Sequence, residues 1–220
     1  MNAVAQQRLR GGRTSCAEAK PISNSRKSVA KRDAIIGTAI RIINEKSYEM
    51  ATMREIAAAL DLRDAALYYY FSSKQSLAYA AHVQSLERFE RTLLSAAQSN
   101  GSGLERLRTF LLDFLVDSYD NGPQLYFGEH SYLEQNQREE IDGWAGRLIT
   151  IIEGIIIEGL TDGSLQTCEP KLVVQLLLGM LIWLAKWVPS IEGLTPERLM
   201  RAIDDVAFRG IGAVGYPRGQ

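Results

Sequence analysis

From Val29 to the neighbourhood of Gly210, the apolar residues recur at helical spacing, and the runs are separated by cap and turn residues. Ile36, Ala39, Ile40 and Ile43 form one stripe, and Tyr48 and Met50 follow a short polar turn. Thr52 and Glu55 have the spacing of a capping box, in which a hydroxyl and a carboxylate satisfy each other's free backbone N–H groups. They open a second helix with Ile56 and Leu60 on its apolar face. Residues 61–64 break that helix, and Asp64 is placed to cap a third, short one ending near Phe71. Ser72 and Gln75 offer a further cap pair before a long helix through about Gln98. Residues 100–103 are a break, Ser102 and Glu105 form another capping box, and the helix after them runs to about Asp120. Trp144, Leu148, Ile151 and Ile155 lie on one face of the next helix, which ends near residues 161–163. Its isoleucines favour strand by propensity, but its length, Glu153, Glu158 and the lack of a partner strand favour helix. Residues 172–188 make a penultimate helix, and Thr195 caps the last one with Pro196 at its first position. The expected fold class is all-α: an N-terminal three-helix helix-turn-helix head and a C-terminal helical domain for ligand binding and dimerisation.

Charge divides along the chain. Residues 1–80 hold thirteen Lys/Arg against seven Asp/Glu, and residues 81–220 hold twelve against nineteen. The net charge of −1 thus conceals a front part of +6 and a back part of −7, and a basic end points to a polyanionic partner. Residues 1–28 are rich in Arg, Gly and Ser without periodicity and read as a flexible basic arm. The expected divisions are this arm, a DNA-binding domain over 29–77, a helical body over 78–214 and a tail over 215–220. Cys16 and Cys168 do not suggest a structural disulfide, and the first twenty residues carry no apolar signal core, so a cytoplasmic protein is expected. Residues 172–188 imitate a membrane span, but they carry Gln175 and Lys186 and are short for one. A helix buried between protein layers, with no membrane partner, is the expectation.

The segment that carries function is residues 53–74, MREIAAALDLRDAALYYYFSSK. Two short helices joined by a tight polar turn behind a longer helix make a helix-turn-helix, which lays its second helix in the major groove of double-stranded DNA. Ala65 and Ala66 let the backbone approach DNA, whereas Leu67 and Phe71, four residues apart, face inward. Tyr68, Tyr69 and Tyr70 point in different directions round the helix, so at least one phenol faces outward.

This stretch resembles the TetR family of bacterial one-component regulators. The resemblance rests on Leu67, Tyr68, Tyr69, Tyr70, Phe71 and Lys74, and on Thr52, Arg54, Ile56 and Ala57 before them, and it covers residues 29–77. It implies base contacts from Arg54, Asp64 and Ala65, mixed base and phosphate contacts from Tyr68 and Tyr69, and phosphate contacts from Thr52, Tyr70 and Lys74. The family usually has glycine where Asp61 stands and often serine-lysine where Arg63 and Asp64 stand. Asp61 can take up a left-handed turn, while Asp64 either repels phosphate or accepts from a cytosine amine.

The resemblance further implies a homodimer on a palindromic operator, with the last two helices of each subunit pairing in a four-helix interface. Leu176, Met180, Trp183 and Trp187 form one stripe of the penultimate helix, Gly179 permits close approach, and Ile203, Val206, Ala207 and Gly210 suit the opposite face. The Trp and Arg/Lys residues around these helices resemble those of acyl-CoA-responsive regulators of lipid or steroid breakdown. A pocket for a small, largely apolar effector is expected from Tyr119, Tyr126, Phe127, Trp144, Met180 and Trp183, with His130 or Glu129 as polar anchor. Met180 and Trp183 fit the dimer stripe equally well.

No other chemistry is expected. Gly210, Gly212 and Gly215 match a dinucleotide fingerprint, but they follow a helix and lack a strand–helix–strand unit. His82 and His130 have no metal-ligand spacing, and Ser131 beside His130 cannot form a nucleophile–base pair. No metal, cofactor or catalytic role is assigned. The expected function is a ligand-released repressor; the alternatives are a DNA-binding regulator of this fold without a ligand and, more remotely, a helical enzyme.

Overall fold

Among the residues described by the structure, a computed structural model covering 26–125 and 130–209, eight α-helices follow one another. They are α1 (Arg26–Lys46), α2 (Met53–Ala58), α3 (Asp64–Tyr70), α4 (Lys74–Ala97), α5 (Gly103–Asn121), α6 (Gln135–Thr161), α7 (Pro170–Trp187) and α8 (Pro196–Ile203). Residues 1–25 of the basic arm with Cys16, the pocket candidates Tyr126, Phe127 and Glu129, and Gly210 with the glycine motif and tail lie outside the described residues. Residues 26–28, expected in the arm, form the first turn of α1.

The helix starts follow their caps. Thr52 and Ser102 form the expected capping boxes with Glu55 and Glu105, and Thr195 caps α8 ahead of Pro196. Two expectations are corrected. The box before α4 uses Ser73 and Ser76 rather than Ser72 and Gln75. Arg63, with no side-chain cap bond, precedes α3, and Asp64 is its first residue. The turn between α2 and α3 puts Asp61 at φ +54°, the left-handed conformation usually given to glycine.

Two apolar cores form. The head core joins Ile35, Ile36 and Ile40 of α1, Ile56 of α2, Leu67 of α3, Phe71, and Leu77 at the start of α4, and Leu125 inserts into it from the segment after α5. The body core joins α4, α5 and α6 with one face of α7 and α8. Phe89 meets Phe110 and Phe114 edge to face at 5.2 and 5.7 Å. Gly103 sets the α5–α6 approach, since a Cβ there would fall 2.2 Å from the Gly159 backbone nitrogen. α4 runs through both cores and is their common strut.

Helix α7 departs from expectation. The segment Pro170–Ser190 is long and apolar enough to cross a bilayer, but it is not enclosed on all sides. Val174, Leu177, Leu181 and Leu184 are buried in the body core, whereas Leu172, Leu176, Gly179 and Trp183 are exposed. Ile203, expected at a subunit contact, is buried in its own chain's core, while Val206 and Ala207 are exposed in the π-helical turn that continues α8.

His82 lies between head and body, fully buried, with Nε2 2.9 Å from the Tyr132 hydroxyl. Burial, helped by the nearby His130 ring, pushes its pKa down to about 4 from an ordinary 6.5. Between these values the unfolded chain binds a proton that the folded chain excludes. Stability is therefore whole above pH 6.5 and falls as pH drops towards 4, by about 3 kcal/mol from this group. Chemical denaturation over this range should give a steeper loss for the wild type than for His82→Phe; parallel curves would show that His82 does not report burial.

Candidate nucleic-acid interface and ligand cavity

The head presents α3 outward because Leu67, fully buried, and Phe71 turn its inner face into the core. Asp64, Ala65, Tyr68 and Tyr69 face solvent, each of the two tyrosines about half exposed at 52%. Arg54 on α2 and Arg63 at the start of α3 are exposed beside them. Arg63 was not among the expected DNA contacts. Its position in the turn before α3 was the available signal, and its charge offsets that of Asp64 at the exposed start of the helix. Tyr70 is partly buried and stands edge-on to Tyr69 at 5.2 Å.

Two residues implied as phosphate contacts are already engaged. The Lys74 ammonium donates to the carbonyls of Tyr48, Glu49 and Ala51 at 2.8, 3.3 and 3.1 Å and lies 4.2 Å from the Tyr48 ring centroid. An ammonium has three protons, and in this structure Lys74 uses them to close the loop between α1 and α2. The Thr52 hydroxyl accepts from Glu55 N and donates to Glu55 Oε2, each at 3.1 Å. Lys46 meets the same carboxylate at 2.6 Å, and this contact, first among its causes, holds the Glu55 pKa below the ordinary range.

The body contains a cavity of about 280 Å³ between α4, α5, residues 122–125, α7 and the start of α8. Phe89, Phe114, Leu181, Leu184 and Leu199 give it apolar walls. Of the expected pocket residues that are described, only Tyr119 lines it, 65% exposed at the rim. Met180 and Trp144 pack against the body core elsewhere, Trp183 is on the exposed stripe of α7 at 56%, and His130 pairs with Asp142 at 2.9 Å. The reason is helical phase: Leu181, Ile182, Leu184 and Ala185 face the cavity, and Met180 and Trp183 point away from it. These lining residues are ordinary aliphatics whose pattern is that of any core.

The cavity wall at 122–125 is fixed from several sides. Buried Arg88 bonds Asp117 Oδ2 at 2.9 Å through Nε and the Gly122 carbonyl at 2.7 Å. Ser85 Oγ accepts from Leu125 N at 2.9 Å. On the head side, Asn44 of α1 donates from Nδ2 to the Gln124 carbonyl at 2.9 Å, and Lys186 of α7 donates to the Asn44 carbonyl. Asn44 thus touches two walls of the cavity.

Residues 35–81 match the family described as bacterial regulatory proteins, tetR family, and residues 100–211 match the tetracyclin repressor-like C-terminal domain. The biofilm operon icaADBC HTH-type negative transcriptional regulator IcaR of Staphylococcus aureus (strain Newman) is 29% identical over 96 residues, 43% of this chain. The match spans about half, 51%, of that regulator's length. AibR, solved with isovaleryl coenzyme A and operator DNA, is 27% identical, covers 79% of this chain and 95% of its own, and superposes with a TM-score of 0.66. PfmR of Thermus thermophilus superposes at 0.67 over 81% of this chain and 99% of its own, and at 24% identity it bears on the fold alone.

Lys74→Ala should lower the stability of the head by about 1–3 kcal/mol, because three carbonyls lose their donor. It should leave the slope of log affinity against log salt unchanged. Arg54→Ala should keep the melting temperature and alter the DNA sequence selected from a random pool. Thermal unfolding and salt titration on both variants would check this; a slope flattened by about one unit in Lys74→Ala would return it to the phosphate contacts.

Proposed function

The chain belongs to the TetR family of bacterial regulators, and we propose that it is a homodimeric repressor, released from a palindromic operator by a small, largely apolar effector held in the body cavity. The family is one of regulators, so DNA binding rather than catalysis is its activity. Repression is in keeping with IcaR, a negative regulator, and effector control with AibR, solved with an acyl-coenzyme A and operator DNA. The chain then acts in the bacterial cytoplasm, on the nucleoid.

On DNA, α3 of each head enters the major groove. Arg54, Asp64 and Ala65 read base edges, and Tyr68 and Tyr69 contact bases and phosphates, with Arg63 beside them. Tyr70 supports Tyr69, and Thr52 and Lys74 position the helices. The subunits meet through Leu176, Gly179 and Trp183 of α7, with Val206 and Ala207 at the same contact, whereas Trp187 packs in part against its own body core. The support for this interface is an exposed apolar stripe that the chain's own core does not cover, 71% exposed at Leu176. Gly179 has open space where a Cβ would stand, which lets a second helix approach.

The observation that carries effector control is the Asn44 junction, since it ties two cavity walls to α1 of the head. A molecule that spreads residues 122–125 from α7 pulls on both bonds and turns the head, lowering operator affinity by favouring the other state.

Two measurements test this. Sedimentation should give a dimer at micromolar concentration, and Leu176→Asp should give a folded monomer with at least about tenfold weaker operator binding. Ala185→Trp, which fills the cavity from α7, should act as a built-in effector and weaken operator binding about tenfold without loss of folding. A folded Ala185→Trp with unaltered operator affinity would sever cavity from head and favour a regulator without a ligand.

A further inference from the structure

Among the described residues, the cavity's lining has no charged side chain, and Ser118, Tyr119, Gln124 and Thr195 are its polar ones. Arg88, next to the lining residue Phe89, is already committed to the Asp117 carboxylate and to the Asp117 and Gly122 carbonyls. A carboxylate or phosphate buried here would find no counter-ion among the described lining residues, and a buried unpaired charge is the costliest group a protein can enclose.

Two polar atoms in this wall lack a partner among the described residues: Gln124 Oε1 and Ser118 Oγ, both buried. Gln124 is only 5% exposed. Its amide orientation follows from its neighbour. Nε2 faces Asp117 Oδ2 at 3.4 Å, and an ionised carboxylate accepts only, so the nitrogen lies on that side and the carbonyl oxygen on the other. Oε1 is therefore a buried acceptor with no donor among the described residues. A serine hydroxyl can donate or accept. A ligand hydroxyl matches both, accepting from Ser118 and donating to Gln124. A carboxylate, an ether or a thioester has nothing to give Gln124.

We propose that the cavity selects a small, uncharged, largely apolar molecule bearing one hydroxyl, anchored by Gln124 and Ser118. The proposal rests on the cavity being the effector site and names the chemistry of that effector. It separates this protein from a sensor of free fatty acids or of a charged acyl headgroup seated inside the body.

The experiment uses the full chain and three probes of equal tail length: 1-octanol, 1-methoxyoctane and octanoate at pH 8, by isothermal titration calorimetry. The wild type should bind 1-octanol at least about tenfold more tightly than either of the others, a buried acceptor left without a donor being the difference. Gln124→Leu should bring 1-octanol and 1-methoxyoctane to within about twofold of each other. Ser118→Ala should weaken 1-octanol and 1-methoxyoctane alike, several-fold, because the oxygen of each accepts from that hydroxyl. Ala185→Trp should abolish binding of all three, which places them in this cavity. Thermal unfolding confirms that each variant is folded, and should Gln124→Leu fail to fold, Gln124→Met carries the test. Octanoate binding as tightly as 1-octanol, no 1-octanol binding, or a preference that survives the Gln124 variant would overturn the proposal. If 1-octanol binds with the expected preferences but leaves the operator complex intact, the chemistry of the site stands and the release mechanism falls.

Discussion

The architecture depends on one buried junction. Asn44, on the last turns of α1, donates to the Gln124 carbonyl, and its own carbonyl receives Lys186 from α7. Asn44 is almost fully enclosed, and a buried polar group that loses its partner costs about 1–3 kcal/mol. The head therefore cannot turn on the body without moving residues 122–125 or α7, or giving up those bonds. Leu125 strengthens the tie by packing in the head core while its neighbours line the body cavity. The Tyr48–Tyr132 stack, with ring centroids 3.5 Å apart, and the bond from Gln75 to the Tyr132 carbonyl brace the same boundary.

Around that junction, the buried charges act to position backbone. Arg88 and Asp117 pair within the body, and the guanidinium also holds the Gly122 carbonyl, where the chain turns at φ +80° out of α5. A paired and fully hydrogen-bonded ion pair is tolerated inside a protein, and this one sets the cavity wall without lining the cavity. Lys74 does the same for the head by collecting three carbonyls of the loop between α1 and α2. Both are cations that an inspection of charge alone assigns to a polyanion or a ligand.

Helix α7 is apolar on two faces for two different reasons. One face fills the body core and the cavity wall; the other carries Leu172, Leu176 and Trp183 into solvent within a single chain. Its composition resembles a membrane span, and its two-sided character is that of a helix between two protein surfaces. In the proposed dimer the partner subunit supplies the second surface, so the same helix connects cavity and subunit contact.

Helix number, the break positions and the helix-turn-helix were legible in the sequence because they depend on local physics. Periodicity places Leu67 and Phe71 inward, Thr52 and Ser102 cap through neighbours three residues away, and Asp61 tolerates a left-handed turn. Exposure of Ala65, Tyr68 and Tyr69 follows from the same helical phase. The cavity was not legible, because its walls come from Phe89, Phe114, Gln124, Leu181 and Leu199, which are far apart in the chain. Aromatic residues such as Trp144 and Trp183 drew attention by type, but the rotation of α6 and α7 against their neighbours turns them elsewhere. The engagement of Lys74 and the Asn44 junction were equally hidden. A side chain's partner 26, 80 or 142 residues away is set by how the helices pack and not by any spacing along the chain.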